Sequence, residues 1–143
     1  MTETPFIHLA VRSSYSLLES MITPDGLKAW LLEHAMPAVA VTDHNNLFGA
    51  LELSELLSGA GIQPIMACCL DVADAGPRAE PSRVSLYAQD EVGYRRLMAL
   101  SSRAYLESET GEPVLAREHL LRETDGLILL TGGAEGRVGQ LCA

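Results

Sequence analysis

Asp43 and His44 are the adjacent pair in this sequence with the greatest capacity for chemistry. They follow a run of small apolar residues, PAVAVT at 37–42, which is typical of a strand buried on both faces. A carboxylate and an imidazole at a strand end can bind a transition metal, or act as a base and its orienting partner. They can equally form a polar turn in which Asp43 caps the next helix and His44 faces water. The pair alone leaves both interpretations open.

The remaining histidines and two adjacent cysteines are weaker candidates for a site. His8 lies inside an apolar strand-like segment, where a packed or hydrogen-bonded histidine is commoner than a ligand. His34 and His119 fall in predicted helices and are expected at the surface. Cys68 and Cys69 lie in a predicted strand, so their side chains should face opposite sides and should not share a metal. We predict that both are buried free thiols.

Strand-like and helix-like segments alternate along the chain. Strands are predicted at residues 6–11, 37–42, 62–72 and 83–89 and within 124–133, and helices at 23–35, 47–60, 91–108 and 115–123. Thr23 is the expected N-cap of the first helix and Gly61 the expected end of the second. Residues 74–82, rich in proline and glycine, are expected to form an exposed loop. This order predicts a parallel α/β fold, in which functional groups gather at the carboxyl ends of the strands.

Composition limits the classes of function. The 143 residues are 48% hydrophobic and 20% charged, as expected for one globular domain, and no apolar run approaches a membrane span. The formal charge of −9 would repel a phosphate backbone, so this segment is not expected to bind DNA by itself. Three cysteines without a disulfide pattern and no secretory signal predict a cytoplasmic protein.

Five blocks of sequence together resemble a known family. In order they read FIHLAVRSSYSLLES, PAVAVTDHNNLFGALEL, GIQPIMACCLDV, VGYRRLMALSSRAYLE and DGLILLTGG. They are similar to the PHP (polymerase and histidinol phosphatase) domain at the N-terminus of bacterial DNA polymerase III α subunits. The resemblance covers residues 5–139. It implies the N-terminal portion of a distorted (β/α)7 barrel with parallel strands, so that residues 1–143 would be an incomplete PHP domain of a much longer polymerase chain.

The resemblance also implies a cleft at the strand ends that holds metal ions and hydrolyses phosphoesters in some members of the family. Asp43 and His44 match two of the ligand positions. The other positions that can be matched have changed, to Ala10, Arg12, Cys69, Arg83 and Gly133. Arginine is permanently charged and opposes a cation. We therefore expect no metal here, and predict an ion-pair network of Arg12, Asp43 and Arg83 in its place.

The function implied by the resemblance is that of a non-catalytic domain. The full-length chain would be a magnesium-dependent, DNA-directed DNA polymerase that contacts DNA through its other parts. This segment would stabilise the chain and dock a protein, with the proofreading exonuclease subunit as the expected partner among the replicase subunits. The alternative is a residual metal-dependent phosphoesterase or 3′–5′ exonuclease that uses Asp43 and His44, with His8 as a further ligand.

Overall fold

The computed structural model describes residues 6–73, 80–108 and 111–142. Its strands are β1 (His8–Val11), β2 (Ala38–Val41), β3 (Gln63–Ala73), β4 (Ser82–Ala88), β5 (Leu115–Ala116) and β6 (Leu127–Leu130). Its helices are α1 (Pro24–Glu33), α2 (Ala50–Gly59), α3 (Glu91–Leu106), α4 (Arg117–Arg122) and α5 (Arg137–Cys142), with a 3-10 turn at Gly133–Glu135. Within these described ranges, no helix has the length and apolar character needed to cross a membrane.

The strands form one sheet in the order β1-β2-β3-β4-β6, with β5 beside the far end of β3. Strands β1, β2 and β3 are parallel, and β5 is parallel to β3. The predicted α/β class is therefore confirmed.

Strand β4 is an exception to the predicted parallel arrangement. It runs antiparallel to both of its neighbours, β3 and β6. The connection from β3 to β4 is too short for the crossover helix that a parallel pair requires, so the chain returns as a hairpin. Residues 74–79 of the predicted exposed loop lie outside the described residues.

The predicted ends of the first two helices are largely confirmed. The Thr23 hydroxyl accepts a hydrogen bond from the backbone N–H of Gly26 at 3.2 Å, as an N-cap should. Gly61 follows α2 with a φ of +76°, the left-handed conformation that glycine adopts after a helix. Helix α2 begins later than predicted, at Ala50. The side-chain oxygen of Asn46 accepts a hydrogen bond from the backbone N–H of Phe48, and this bond holds the residues before the helix in a turn.

Two hydrophobic clusters hold the helices to the sheet. One lies between α1, α2 and β2 and includes Leu31, Val39 and Leu57. The other lies between α3 and strands β3 and β4 and includes Leu70 and Leu97. This packing fixes the strand ends relative to one another, which is what a site at that edge of the sheet needs.

The C-terminal part differs most from the sequence prediction. The segment predicted as one helix, 115–123, begins with the short strand β5, and only its later residues form α4. After β6, where a glycine-rich exit was expected, the chain forms the 3-10 turn and α5. Gly132 precedes the turn with a φ of +74°, and this left-handed residue turns the chain so that Glu135 faces the strand ends.

Candidate functional site

An open cleft of about 1050 Å³ lies beside the strand ends. Its lining includes the five residues that the family resemblance led us to expect at altered ligand positions: Ala10, Arg12, Cys69, Arg83 and Gly133. The fold therefore brings together positions that are widely separated in sequence. Asp43 and His44 follow β2 at the same edge of the sheet, where His44 forms an isolated bridge with Cys69 of β3.

Asp43 is buried, with 4% of its surface exposed, and is held by the loop that follows β1. Its Oδ1 accepts hydrogen bonds from the Ser13 backbone N–H at 2.7 Å and from the Ser16 hydroxyl at 2.6 Å. Its Oδ2 accepts one from the Ser13 hydroxyl at 2.7 Å. Such charge-assisted bonds satisfy a buried carboxylate without a cation. Asp43 thus ties the loop to the end of β2.

This geometry corrects the predicted ion-pair network of Arg12, Asp43 and Arg83. Within the described part of the chain, neither guanidinium pairs with Asp43. The two arginines do meet, but through other carboxylates. The physical reason is that the nearby serines already occupy the oxygens of Asp43, leaving the arginines to pair with acids that reach the open side of the cleft.

His44 lies between two carboxylates. Its Nε2 is 2.8 Å from Asp71 Oδ2, and its Nδ1 is 2.8 Å from Glu19 Oε1. Both ring nitrogens can donate at once only when the imidazole is protonated. The pKa of His44 is raised, chiefly by the hydrogen bond to Asp71, while burial acts in the opposite direction. A protonated His44 would donate to both carboxylates, whereas a histidine that binds a metal must be neutral.

Six side chains complete this arrangement, and we call them the strand-end cluster: Arg12, Glu19, His44, Asp71, Arg83 and Glu135. Arg12 donates to Glu19 at 2.6 Å, and Arg83 donates to the same carboxylate at 2.8 Å. A single oxygen of Glu135 lies 3.2 Å from Arg12 Nη2 and 3.0 Å from Arg83 Nη1. Three cations and three carboxylates thus alternate, and their formal charges cancel when His44 is protonated.

The pKa directions within the cluster agree with this pairing. Burial is the largest single influence on Asp71 and acts to raise its pKa, but the hydrogen bonds from His44 and Asn45 and the charges of His44 and Arg83 together lower it. Burial acts to lower the pKa of Arg83, but its hydrogen bond to Glu135 contributes to a net rise. The pKa of Glu135 is lowered, first by the hydrogen bond from Arg83 and then by that from Arg12. Each group is held in its charged form.

The sequence did not lead us to assign Glu19, Asp71 or Glu135 to the site. Glu19 is in a polar loop and Glu135 is in a glycine-rich segment, and neither has a local signal that marks it. Asp71 did have a usable signal, because a hairpin between β3 and β4 pairs it directly with Arg83. The ion pair between their side chains spans 3.5 Å.

The two adjacent cysteines behave as predicted. Both are buried, and no disulfide joins them. The Cys68 thiol approaches the Asn46 carbonyl oxygen at 3.3 Å, whereas Cys69 lines the cleft on the opposite face of β3. Burial is the main cause that raises the pKa of each thiol.

The other histidines lie away from the cluster or at its margin. His8 packs edge-on against Phe6 and Trp30, which agrees with the prediction of a packed residue. His34 is exposed and stacks on Trp30 with ring centroids 4.1 Å apart. His119 lies at the surface of α4 and pairs with Glu107 at 2.8 Å. Across residues 6–73, 80–108 and 111–142, no group of three or more His, Cys, Asp or Glu is arranged to hold a metal ion.

Comparison with known proteins supports the resemblance seen in the sequence. Residues 8–143 match the model of the PHP domain family. The chain is 45% identical over 144 residues to the DNA polymerase III subunit alpha of Caulobacter vibrioides, covering 96% of this chain and 13% of that protein. It is 34% identical over 141 residues to that of Escherichia coli K12, covering 98% of this chain and 12% of that protein.

A solved structure shares the fold. A protein from Bifidobacterium adolescentis, described as a metal-dependent phosphoesterase, superposes with a TM-score of 0.52 at 14% identity. The match covers 68% of this chain and 32% of that one. At this identity the likeness concerns the fold alone.

Proposed function

The chain belongs to the PHP domain family, and we propose that it serves a DNA polymerase III α subunit as a domain that performs no catalysis itself. One observation carries the proposal: Arg12 and Arg83 meet on Glu135 inside the cleft. Two guanidiniums there supply the positive charge that metal ions supply in a phosphoesterase. The cleft is accordingly a structural junction between the loop after β1, strands β2 to β4 and the 3-10 turn.

The side chains at these positions are poorly suited to bind a divalent cation. The side chain of Ala10 has no atom that can bind a metal, and both carboxylate oxygens of Asp43 already accept hydrogen bonds from serines. His44 holds a carboxylate at each ring nitrogen. A metal bound here would compete with Arg83 for the carboxylates and with Glu19 and Asp71 for the ring nitrogens of His44, and breaking these contacts costs free energy. The side chains of the cleft therefore do not fit metal-dependent hydrolysis.

The whole protein's activity rests on the relatives, since the chain spans only 12% to 13% of the two described above. In this proposal the full-length chain is a magnesium-dependent DNA polymerase of the cytoplasm. Magnesium and DNA are bound by parts outside this segment. The net charge of −9 suits a protein partner better than a nucleic acid. The proofreading exonuclease subunit is the partner we propose for it, within a replicase of several subunits.

A residual phosphoesterase or 3′–5′ exonuclease is the second candidate. It is favoured by the retention of Asp43 and His44 at strand ends and by the open cleft beside them. In that case an ion would bind through His44 and the neighbouring acids after Arg83 had moved away. The two candidates differ in metal content and in turnover.

The full-length chain, purified without chelators, tests the first proposal against the second. We expect substoichiometric manganese and zinc, and no hydrolysis of a generic phosphate ester above that of the His44→Gln variant. Magnesium-dependent DNA synthesis and co-purification with the exonuclease subunit are expected from the same preparation. Stoichiometric metal, with ester hydrolysis that His44→Gln abolishes, would favour the phosphoesterase.

A further inference from the structure

Tyr87 is a buried tyrosine whose hydroxyl reaches a strand that is not its neighbour. It lies on β4 with 5% of its surface exposed, and its hydroxyl donates to the Leu9 backbone carbonyl of β1 at 2.7 Å. Strands β2 and β3 separate β4 from β1 in the sheet. If the sheet were flat, three strand spacings of about 4.8 Å each would place β1 beyond the reach of one side chain. The contact therefore requires the sheet to curl, as in the wall of a barrel.

Small residues on the intervening strands leave room for the tyrosine ring. Ala40 of β2 and Ala67 of β3 are buried and form one hydrophobic cluster with Tyr87. Ala67 is the direct partner of Tyr87 in the antiparallel ladder, so both side chains point to the same face of the sheet. Because alanine has no side chain beyond Cβ, the ring can pass over β3 and β2 towards β1.

Strand β1 is irregular at the residue that Tyr87 contacts. Three steps along β1 match two along β2 between the paired positions, which are His8 with Val39 and Val11 with Val41. This irregularity has the form of a β-bulge, which interrupts the ladder and bends the strand. The Leu9 carbonyl lies within the irregular stretch, and there it accepts the hydrogen bond from Tyr87.

Packing alone does not explain a tyrosine at this position. A phenylalanine would fill the cluster with Ala40 and Ala67 without burying a hydroxyl, and a buried hydroxyl costs free energy unless it is hydrogen-bonded. Burial raises the pKa of Tyr87, so the hydroxyl keeps its proton and can donate. The contact with Leu9 is therefore the property that distinguishes tyrosine from phenylalanine here.

The two strands that Tyr87 joins carry the two arginines of the strand-end cluster. Arg12 follows the end of β1, three residues after Leu9, and Arg83 lies on the same face of β4 as Tyr87. Both guanidiniums reach one oxygen of Glu135, at 3.2 and 3.0 Å. Charge-assisted hydrogen bonds require donor and acceptor to lie about 3 Å apart. The spacing of β1 and β4 thus decides whether both arginines can share Glu135.

We propose that the Tyr87 hydroxyl is a positioning group, which holds the bulged strand β1 at the distance from β4 at which Arg12 and Arg83 share Glu135. The inference rests on the structural junction proposed above for the cleft. Neither the 3-10 turn nor α5 contains a buried residue, so polar contacts such as those of Glu135 hold them on the sheet. Without the hydroxyl, β1 moves away from β4 and Arg12 releases the turn.

Hydrogen–deuterium exchange of the full-length chain, read by mass spectrometry of its peptides, tests the proposal. Tyr87→Phe removes the hydroxyl and keeps the ring, so we expect amide exchange about fivefold faster in β1. We expect a similar rise in the 3-10 turn, where the Gly136 N–H donates to the Gly133 carbonyl. Tyr105→Phe, at an exposed position near the end of α3, is the matched control and should exchange as the wild type does.

A second variant separates positioning from ordinary packing. Arg12→Gln should speed exchange in the 3-10 turn by itself, because it removes one of the two guanidiniums that bind Glu135. If Tyr87 acts through Arg12, adding Tyr87→Phe to Arg12→Gln should change exchange in the turn by less than about twofold. A tyrosine that only packs would speed exchange in the turn equally in both backgrounds, or only in β1 and β4. Either of these results overturns the proposal.

The tyrosine and the junction fail in different ways. If Arg12→Gln speeds exchange in the turn and Tyr87→Phe does not, the assignment of Tyr87 is overturned and the junction stands. If Arg12→Gln leaves the turn unchanged, both are overturned. An effect of Tyr105→Phe as large as that of Tyr87→Phe would also overturn the assignment.

Discussion

Ser13 binds both carboxylate oxygens of Asp43, through its backbone N–H at 2.7 Å and its hydroxyl at 2.7 Å. Asp43, which the resemblance suggested as a former metal ligand, therefore works as the anchor of a loop. The contact joins the end of β1 to the end of β2. It also sets the position of Glu19, which lies on the same loop and reaches the arginines.

Replacing Asp43 with alanine should destabilise the fold strongly. The change leaves the buried hydrogen-bond donors of Ser13 and Ser16 without an acceptor. We therefore expect a loss of about 2–4 kcal/mol in the free energy of unfolding. Glu55→Ala, at an exposed position on α2, should change it by less than about 0.5 kcal/mol. Urea unfolding of the two variants measures both values. Equal stability of the two would show that Asp43 is not an anchor.

Stability should depend on pH through His44. Its pKa is raised in the folded state above the ordinary value of 6.5, chiefly by Asp71. The contribution is therefore fully present below the unfolded pKa and is lost as the pH rises through the folded pKa. The difference in unfolding free energy between wild type and His44→Gln should be larger near about pH 6 than near about pH 9.

At low pH, two carboxylates of the cluster change stability in the opposite direction. The pKa values of Asp71 and Glu135 are lowered in the folded state, so their contributions are lost as the pH falls through those lowered values. Urea unfolding at several pH values measures both the loss of stability at high pH and the loss at low pH. A difference between wild type and His44→Gln that grows towards high pH would contradict the assigned charge of the imidazole.

Gly93 of α3 packs closely against Gly126, so adding a methyl group at Gly93 should destabilise the fold. A Cβ at Gly93 of α3 would lie 1.8 Å from the carbonyl oxygen of Gly126, just before β6. We expect Gly93→Ala to cost about 1–3 kcal/mol of unfolding free energy, since backbone must move to relieve the contact. Gly59→Ala in α2 meets nothing within 4 Å and should stabilise by about 0.5–1 kcal/mol.

Thermal unfolding of the two glycine variants gives the comparison directly. Both positions are helical, so intrinsic helix propensity favours alanine equally and only packing separates them. A stabilised Gly93→Ala protein would mean that α3 does not pack on the turn before β6 as described.

Local features of the fold were readable from the sequence, while the partners at the site were not. Thr23 and Gly61 mark helix ends through chemistry that acts over a few residues, and both predictions are confirmed. The order of elements placed Asp43 at a strand end, and the family resemblance pointed to the two arginines. Their partners depend on tertiary geometry: Glu19 and Arg83 are 64 residues apart in sequence. The reversed β4 was also missed, although its short connection could have predicted it.

Arg83 pairs with three carboxylates of the strand-end cluster, as we expect of a cation that stands in for a metal ion. Calorimetric titration of zinc into the full-length wild type and its Arg83→Ala variant tests this role most directly. Glu19, Asp71 and Glu135 all pair with this guanidinium, so its removal leaves three carboxylates without their shared cation, and the variant should bind zinc more tightly than the wild type does. Stoichiometric zinc binding by the wild type, unchanged or weakened in Arg83→Ala, would contradict this role.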